Sequence, residues 1–235
     1  MSRFALVTDF DGTVTTRDVG DFICLRFGVA TAEDIELSYA AGVCVQDWVK
    51  KFFGRLRRGP DEVRSLVLGK IRMRAGFAEA ARLLAQNGAP VEITSGGLDI
   101  YIKPLLEKWG APDIKLFCGA ARYGKNGYRV RYPWKMKLDD LKASRVRFHR
   151  RRGRKVIFCG DAASDFRAAR AADIVFARGR LLEMCRAAGV KAAPLESFSA
   201  VAEAAGLVRR DGSGRRAQTG ARCQSRGKTA KAGAR

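Results

Sequence analysis

The chain predicts an α/β fold: a doubly wound, mainly parallel sheet with a helical insertion near its start and a disordered basic tail at its end. Three observations predict it. From residue 77 onward, short apolar runs alternate with amphipathic helical patterns, the rhythm of a parallel sheet covered on both faces. Residues 13–74 hold several helical patterns and no clear strand. From about Val208 large apolar residues almost vanish, so that stretch cannot bury enough surface to order itself.

Each element follows in order. "RFALVTDF" (3–10) is the first strand. "DVGDFICLRFG", "TAEDIELSYAAG", "VQDWVKKFFGRLRR" and "PDEVRSLVLGKIR" then read as helices. A parallel crossover needs only one helix and short loops, so this interval reads as an inserted helical cap over 15–74, between core segments 1–14 and 75–207. "FAEAARLLAQNG" (77–88) is a core helix stopped by Gly88. Strands at 89–94, 113–119, 154–160, 173–177 and 189–194 alternate with helices at 98–110, 164–172, 180–189 and 197–206. "ARYGKNGYRV" (121–130) differs, reading as a hairpin across a glycine-rich turn. Residues 208–235 form the tail.

Composition excludes several classes. No apolar run approaches the roughly 18 residues of a membrane span. The chain enters its first strand with no basic n-region or apolar h-region, so a cytoplasmic protein is expected. Six cysteines (Cys24, Cys44, Cys118, Cys159, Cys185, Cys223) form no C-x-x-C pair and read as reduced, mostly buried small apolar residues. The single histidine, His149, lies in a basic run and does not suggest a Ser-His-Asp triad. The net charge of +21 is concentrated: residues 209–235 hold nine Lys/Arg and one Asp, and 145–155 hold seven Lys/Arg and no acid. Such clusters are solvated surface or weak binders of polyanions such as nucleic acid.

The strand ends carry the chemistry. In an open parallel sheet, ligands bind beyond the carboxyl ends of the strands. The first strand ends in Asp9-Phe10-Asp11-Gly12-Thr13, the second in Thr94-Ser95-Gly96-Gly97, and the strand at 154–160 in Gly160-Asp161 followed by Ala162-Ala163-Ser164-Asp165. Side chains alternate along a strand, so Asp9 and Asp11 are expected to stand side by side, where they repel unless a cation or shared proton intervenes. Clustered carboxylates without histidine or cysteine suit a hard divalent cation, usually Mg²⁺, and glycine-flanked N–H groups suit phosphate. The combination reads as magnesium-dependent phosphoryl transfer.

These motifs, in this order, resemble the haloacid dehalogenase (HAD) superfamily: D-x-D-G-T at residues 9–13, a Ser/Thr strand end at Ser95, a lysine, and G-D-x-x-x-D at 160–165. The likeness spans about residues 3–206, and the helical insertion resembles that superfamily's C1 cap. "TSGG" and "FCGDAASD" are similar to its phosphoserine-phosphatase-like branch. "SGGLDIYIKPLL" and "DIVFARGRLLEMC" are most similar to the methionine-salvage hydroxyketo-methylthiopentenyl-phosphate phosphatases. The resemblance implies Asp9 as nucleophile, forming an aspartyl-phosphate, and Asp11 as general acid and base. It implies Mg²⁺ held by Asp9, the Asp11 backbone carbonyl and Asp161, with Asp165 holding metal-bound water or orienting the lysine. Ser95 and the Gly96 N–H would bind phosphoryl oxygens. The lysine is one of Lys135, Lys137 and Lys142, with Lys142 favoured because "LKASRV" fits a helix-borne lysine. For Ser95 a helix N-cap before Leu98 is a further reading. Where phosphoserine phosphatases carry a glutamate that reads the substrate amine, this chain has Asp18. Ser164 replaces an asparagine, and Arg55, Arg57 and Arg58 lie near the place of a cap arginine without matching it.

Overall fold

Seven strands form one sheet in the order β4-β3-β2-β1-β5-β6-β7, parallel except for the β3–β4 hairpin. They are β1 (Phe4–Thr8), β2 (Val91–Leu98), β3 (Lys115–Gly124), β4 (Gly127–Arg131), β5 (Lys155–Gly160), β6 (Ile174–Ala177) and β7 (Ala193–Pro194). This computed structural model describes residues 3–39, 43–111, 113–210 and 216–218. The expected strands are all present, although β2 and β3 run further than their apolar cores suggested and β7 keeps only two residues.

Strand alternation sends apolar side chains to both faces. Leu6 of β1, Ile93 of β2 and Ile157 of β5 join one core with α5 (Phe77–Gln86), α6 (Asp99–Lys108) and α10 (Ser199–Ala204). Val7 of β1 with Val156 and Phe158 of β5 join the other, under α7 (Leu138–Arg150), α8 (Phe166–Ala171) and α9 (Gly179–Ala187). Both faces are covered, which is why these strands read as continuous apolar runs. Gly88, with φ +69°, ends α5 as expected. The helix expected over 164–172 begins as a short 3₁₀ turn, Ala163–Asp165, whose last residue accepts the Asp161 and Ala162 N–H groups on its carboxylate.

Between β1 and α5 the described residues form four helices: α1 (Val19–Arg26), α2 (Ala32–Ser38), α3 (Val45–Phe53) and α4 (Pro60–Lys70). Asp18 caps α1 and Thr31 caps α2 through their side chains. Phe53 of α3 stacks on Tyr101 of α6 and meets Tyr128 of β4 edge-on, fixing this group over the C-terminal end of β2. The chain leaves at Thr15 and returns at Met73, and these two residues form an isolated antiparallel bridge. No helix among the described residues is long and apolar enough to cross a membrane.

Two features of the basic segments differ from the sequence reading. The tail, expected to be disordered from about residue 208, includes an antiparallel pair, β8 (Val208–Arg210) and β9 (Arg216–Gln218). Val208 packs against the main core, an anchor that composition averaged over the tail hides. Residues 211–215 and 219–235, including Cys223, lie outside the described residues. The 145–155 cluster is also more than solvated surface. Arg145 makes a two-pronged hydrogen bond to buried Glu92, both contacts 2.8 Å, and lies over the rings of Phe117 and Phe148. His149 Nε2 stands 3.1 Å from the same carboxylate, which gives the lone histidine a place in the core.

Burial works to raise the Glu92 carboxyl, but His149 and Arg145 outweigh it and hold the group at about 2. A depressed carboxyl stabilises the fold above its unfolded value, and that contribution is lost as pH falls through the folded value. With screening allowed for where the cluster opens at Lys115, it amounts to roughly 2 kcal/mol. Glu92→Gln is therefore expected to lower unfolding free energy by about this amount at pH 7, with the gap from wild type closing between pH 5 and pH 2. Denaturant titrations at several pH values check this, and a pH-independent gap contradicts it.

Candidate active site

The carboxyl ends of β1, β2 and β5 meet at one edge of the sheet, where a cavity of about 370 Å³ opens beneath α3. Its floor carries Asp9, Asp11, Ser95, Lys142 and Asp161, and its opposite wall carries Val45, Trp48 and Val49. β1 stops at Thr8 and the Asp9 N–H still bonds the Cys159 carbonyl, so strand alternation reaches Asp9 but does not extend to Asp11. Phe10 accepts hydrogen bonds from the Thr13 and Thr15 N–H groups, and the chain turns at Gly12 with φ +73°. The expected side-by-side pair is thus opened by a turn, and each carboxylate finds its own partners.

Asp9 faces α7. Lys142, on the first turns of that helix, donates to Asp9 Oδ1 and Asp165 Oδ1, both at 2.7 Å, and lies 3.4 Å from Ser164 Oγ. It is 1% exposed. Of the three candidate lysines, Lys142 alone is buried among these carboxylates, whereas Lys135 and Lys137 are exposed. Asp165 is occupied at both oxygens: its Oδ2 accepts the Asp161 and Ala162 N–H groups at 3.0 Å each. That arrangement orients the lysine and shapes the loop. Asp161 Oδ1 accepts from the Thr13 hydroxyl at 3.1 Å. Gly12 admits Asp161, since a Cβ there would stand 2.1 Å from its Oδ2.

Asp11 faces the insertion. The Val19 N–H donates to its Oδ1 at 3.1 Å, while the hydroxyls of Ser95 and Tyr101 contact its Oδ2 at 3.1 and 3.0 Å. Ser95 is not a helix cap: β2 continues through it to Leu98, and its Oγ accepts the Gly97 N–H at 2.8 Å. The Gly96 carbonyl accepts from the Tyr132 hydroxyl at 2.6 Å. Asp18 accepts the Asp21 N–H at 2.8 Å as the cap of α1 and lines the cavity. Arg55, Arg57 and Arg58 do not line it.

Burial dominates the electrostatics of these carboxyls. Burial raises Asp9 to about 7, with Lys142 opposing and Asp165 adding. Asp161 is pushed well above the usual carboxylate range by burial, then by Asp9 and Asp165, and Asp11 by burial, then by Asp18 and Asp9. Burial and then Asp21 raise Asp18 to about 7. Burial alone would lower Lys142, but Asp165 and Asp9 outweigh it and hold the ammonium above its ordinary range. Ligand oxygens of Asp9, Asp161 and Asp165 lie within 4.8 Å of one another, and one lysine does not balance them. An oxygen-only donor set with surplus negative charge fits a hard divalent cation.

Two contributors escaped the sequence reading. Tyr101 sat in an ordinary amphipathic pattern. Arg74 looked like one more arginine in a basic chain, yet it is 7% exposed and donates to the carbonyls of Gly12, Thr13 and Thr15 at 2.7, 2.6 and 3.0 Å. It thereby clamps the turn that separates Asp9 from Asp11.

A mostly parallel sheet with D-x-D-G-T, a serine strand end, a buried lysine and G-D-x-x-x-D at one edge defines a class of hydrolase. The haloacid dehalogenase-like hydrolase profile matches residues 6–170, and the chain belongs to that family. Among its relatives, the 2-hydroxy-3-keto-5-methylthiopentenyl-1-phosphate phosphatase of Geobacillus kaustophilus is 31% identical over 212 residues, covering 86% of this chain and 95% of its own. The enzyme of the same name from Exiguobacterium is 30% identical over 203 residues, covering 82% and 93%. A substrate-bound phosphoserine phosphatase structure superposes with TM-score 0.68 at 17% identity, covering 87% of this chain and 98% of its own. A HAD family hydrolase from Salmonella enterica gives 0.69 at 19%, covering 86% and 70%. At these identities the two structures support the fold.

Arg74→Met leaves three buried carbonyls without their donor and is expected to destabilise the protein by about 3 kcal/mol. Arg74→Lys recovers only part, because its one nitrogen cannot stand where both the Nε and the Nη2 of the planar guanidinium meet these carbonyls. Thermal or urea unfolding of both variants checks the order; equal stability of wild type and Arg74→Met contradicts it.

Proposed function

We propose that the protein is a Mg²⁺-dependent phosphomonoesterase that cleaves a small phosphorylated metabolite through an aspartyl-phosphate on Asp9. One observation carries this reading: Asp9 lies at the floor of the cavity, hydrogen-bonded to buried Lys142, with a second carboxyl, Asp11, held separately nearby. Asp9 attacks phosphorus, and the bond from phosphorus to the ester oxygen breaks as Asp11 gives that oxygen its proton. Asp11, now ionised, takes a proton from water as that water attacks phosphorus, releasing phosphate and restoring Asp9. Lys142, the Ser95 hydroxyl and the Gly96 N–H hold the phosphoryl oxygens. Asp9, Asp161 and the Asp11 backbone carbonyl, with Asp165 adjoining, would hold Mg²⁺, which when bound offsets the charge of the phosphoryl group.

In this reading residues 1–14 and 75–207 form the catalytic core and 15–74 a cap, with the Thr15–Met73 bridge marking where the chain crosses between them. Cap closure excludes water from the intermediate. Two relatives named for 2-hydroxy-3-keto-5-methylthiopentenyl-1-phosphate support an ester of that type, and the apolar wall of Val45, Trp48 and Val49 suits an apolar tail beyond the phosphate. Asp18 contacts the polar part of the substrate. The free thiols of Cys24, Cys44, Cys118, Cys159 and Cys185 support a reducing, cytoplasmic setting.

Hydrolysis of p-nitrophenyl phosphate is expected with Mg²⁺, to stop with EDTA, and to fall by at least about 10³-fold in Asp9→Asn, whose fold should be intact. Steady-state assays check all three. Metal-dependent turnover that survives in Asp9→Asn would refute the nucleophile assignment.

A further inference from the structure

We infer that Tyr101 is a positioning residue for Asp11, holding the proton-transferring carboxyl in place when Ser95 is engaged by the substrate phosphate. The inference rests on the phosphatase reading above and adds a residue to it.

Tyr101 stands early in α6, just beyond the strand end that carries Ser95. It is 1% exposed, and its ring stacks on Phe53 of α3 with centroids 6.3 Å apart, so its hydroxyl has little freedom. That hydroxyl meets Asp11 Oδ2 at 3.0 Å. Gly97 makes the meeting possible: a Cβ there would stand 2.1 Å from the Tyr101 oxygen and 2.4 Å from Asp11 Oδ2. Any side chain at position 97 would collide with both partners of this contact.

Ser95 makes the contact consequential. Its hydroxyl already accepts the Gly97 N–H, so its single proton goes to Asp11 Oδ2, at 3.1 Å. When Ser95 turns that proton to a phosphoryl oxygen, it lets go of Asp11. Tyr101 then remains as the side chain on Oδ2, while the Val19 N–H continues to hold Oδ1 at 3.1 Å. Two anchors on opposite oxygens fix the carboxyl plane, whose terminal torsion is otherwise broad. A phenol that donates to Oδ2 holds the carboxyl while leaving the acid's own proton free to face the ester oxygen. Asp11 passes its proton to the ester oxygen and later recovers one from water; Tyr101 keeps its own proton throughout.

A loosened acid matters most when the leaving group needs the proton most. Tyr101→Phe keeps the ring packing and removes only the hydroxyl, and kcat/KM reports the step in which the ester bond breaks. In Mg²⁺, Tyr101→Phe is expected to stay within about twofold of wild type on p-nitrophenyl phosphate but to lose about tenfold or more on p-methoxyphenyl phosphate, whose leaving group is far more basic. The nitrophenyl ester also reports that the variant is folded. An equal loss on both esters, as a merely structural role would give, overturns the inference, and so does no loss on either. Wild-type protein inert to both esters overturns the phosphatase reading itself, and the inference with it; that outcome is distinct, since the other two require an active wild type.

Discussion

A single buried ammonium, Lys142, holds Asp9 and Asp165 together at 2.7 Å each, and the geometry of the cavity follows from it. An unpaired charge at that depth costs several kcal/mol, and so does each bare carboxylate. The pairs offset one another only if α7, β1 and the loop after β5 arrive in register. The register is set by the sheet: Thr8 pairs with Cys159, and the Asp9 N–H bonds the Cys159 carbonyl at 2.9 Å. Val7, two residues before Asp9, is buried in the core beneath α7, so the strand delivers Asp9 on the side from which Lys142 reaches it. Asp165, bonded at both oxygens, transmits that placement to the backbone of Asp161.

The second carboxyl is governed by a different set of elements. The turn at Gly12, clamped by Arg74, takes Asp11 away from the lysine and toward the insertion. There its two oxygens meet the first N–H of α1 on one side and groups of β2 and α6 on the other. Two carboxyls two residues apart therefore sit in two environments, one against a fixed cation and the other against neutral donors, while burial raises both. Division of environment is what lets neighbouring acids take different parts in one reaction. It also links the insertion to the chemistry, because Val19 touches Asp11 directly and Phe53 braces the ring of Tyr101.

Much of this was legible in the sequence because it is periodic or local. The strands show as apolar runs, the insertion as helical patterns that no crossover needs, and the motif residues as polar groups placed where apolar runs stop. Lys142 could be favoured over Lys135 and Lys137 from its helical setting, and it is the one buried against Asp9 and Asp165. What could not be read depends on tertiary contact. Nothing local separates Arg74 from the many surface arginines, or Tyr101 from a core aromatic. The Glu92–Arg145–His149 cluster joins residues 92 and 145–149, so the basic run conceals its structural members. Strand alternation also misplaced Asp11, since hydrogen bonds in the following turn, not the strand, decide where it points.

The central claim, that this edge of the sheet carries phosphoryl transfer through Asp9, is tested most directly by trapping the covalent state. Wild-type protein mixed with Mg²⁺ and p-nitrophenyl phosphate would be quenched in acid within one turnover, digested, and its peptides weighed. The account predicts one phosphoryl group on the peptide containing Asp9, removable by hydroxylamine as an acyl phosphate is. Rapid turnover with the phosphoryl group on another residue would contradict it.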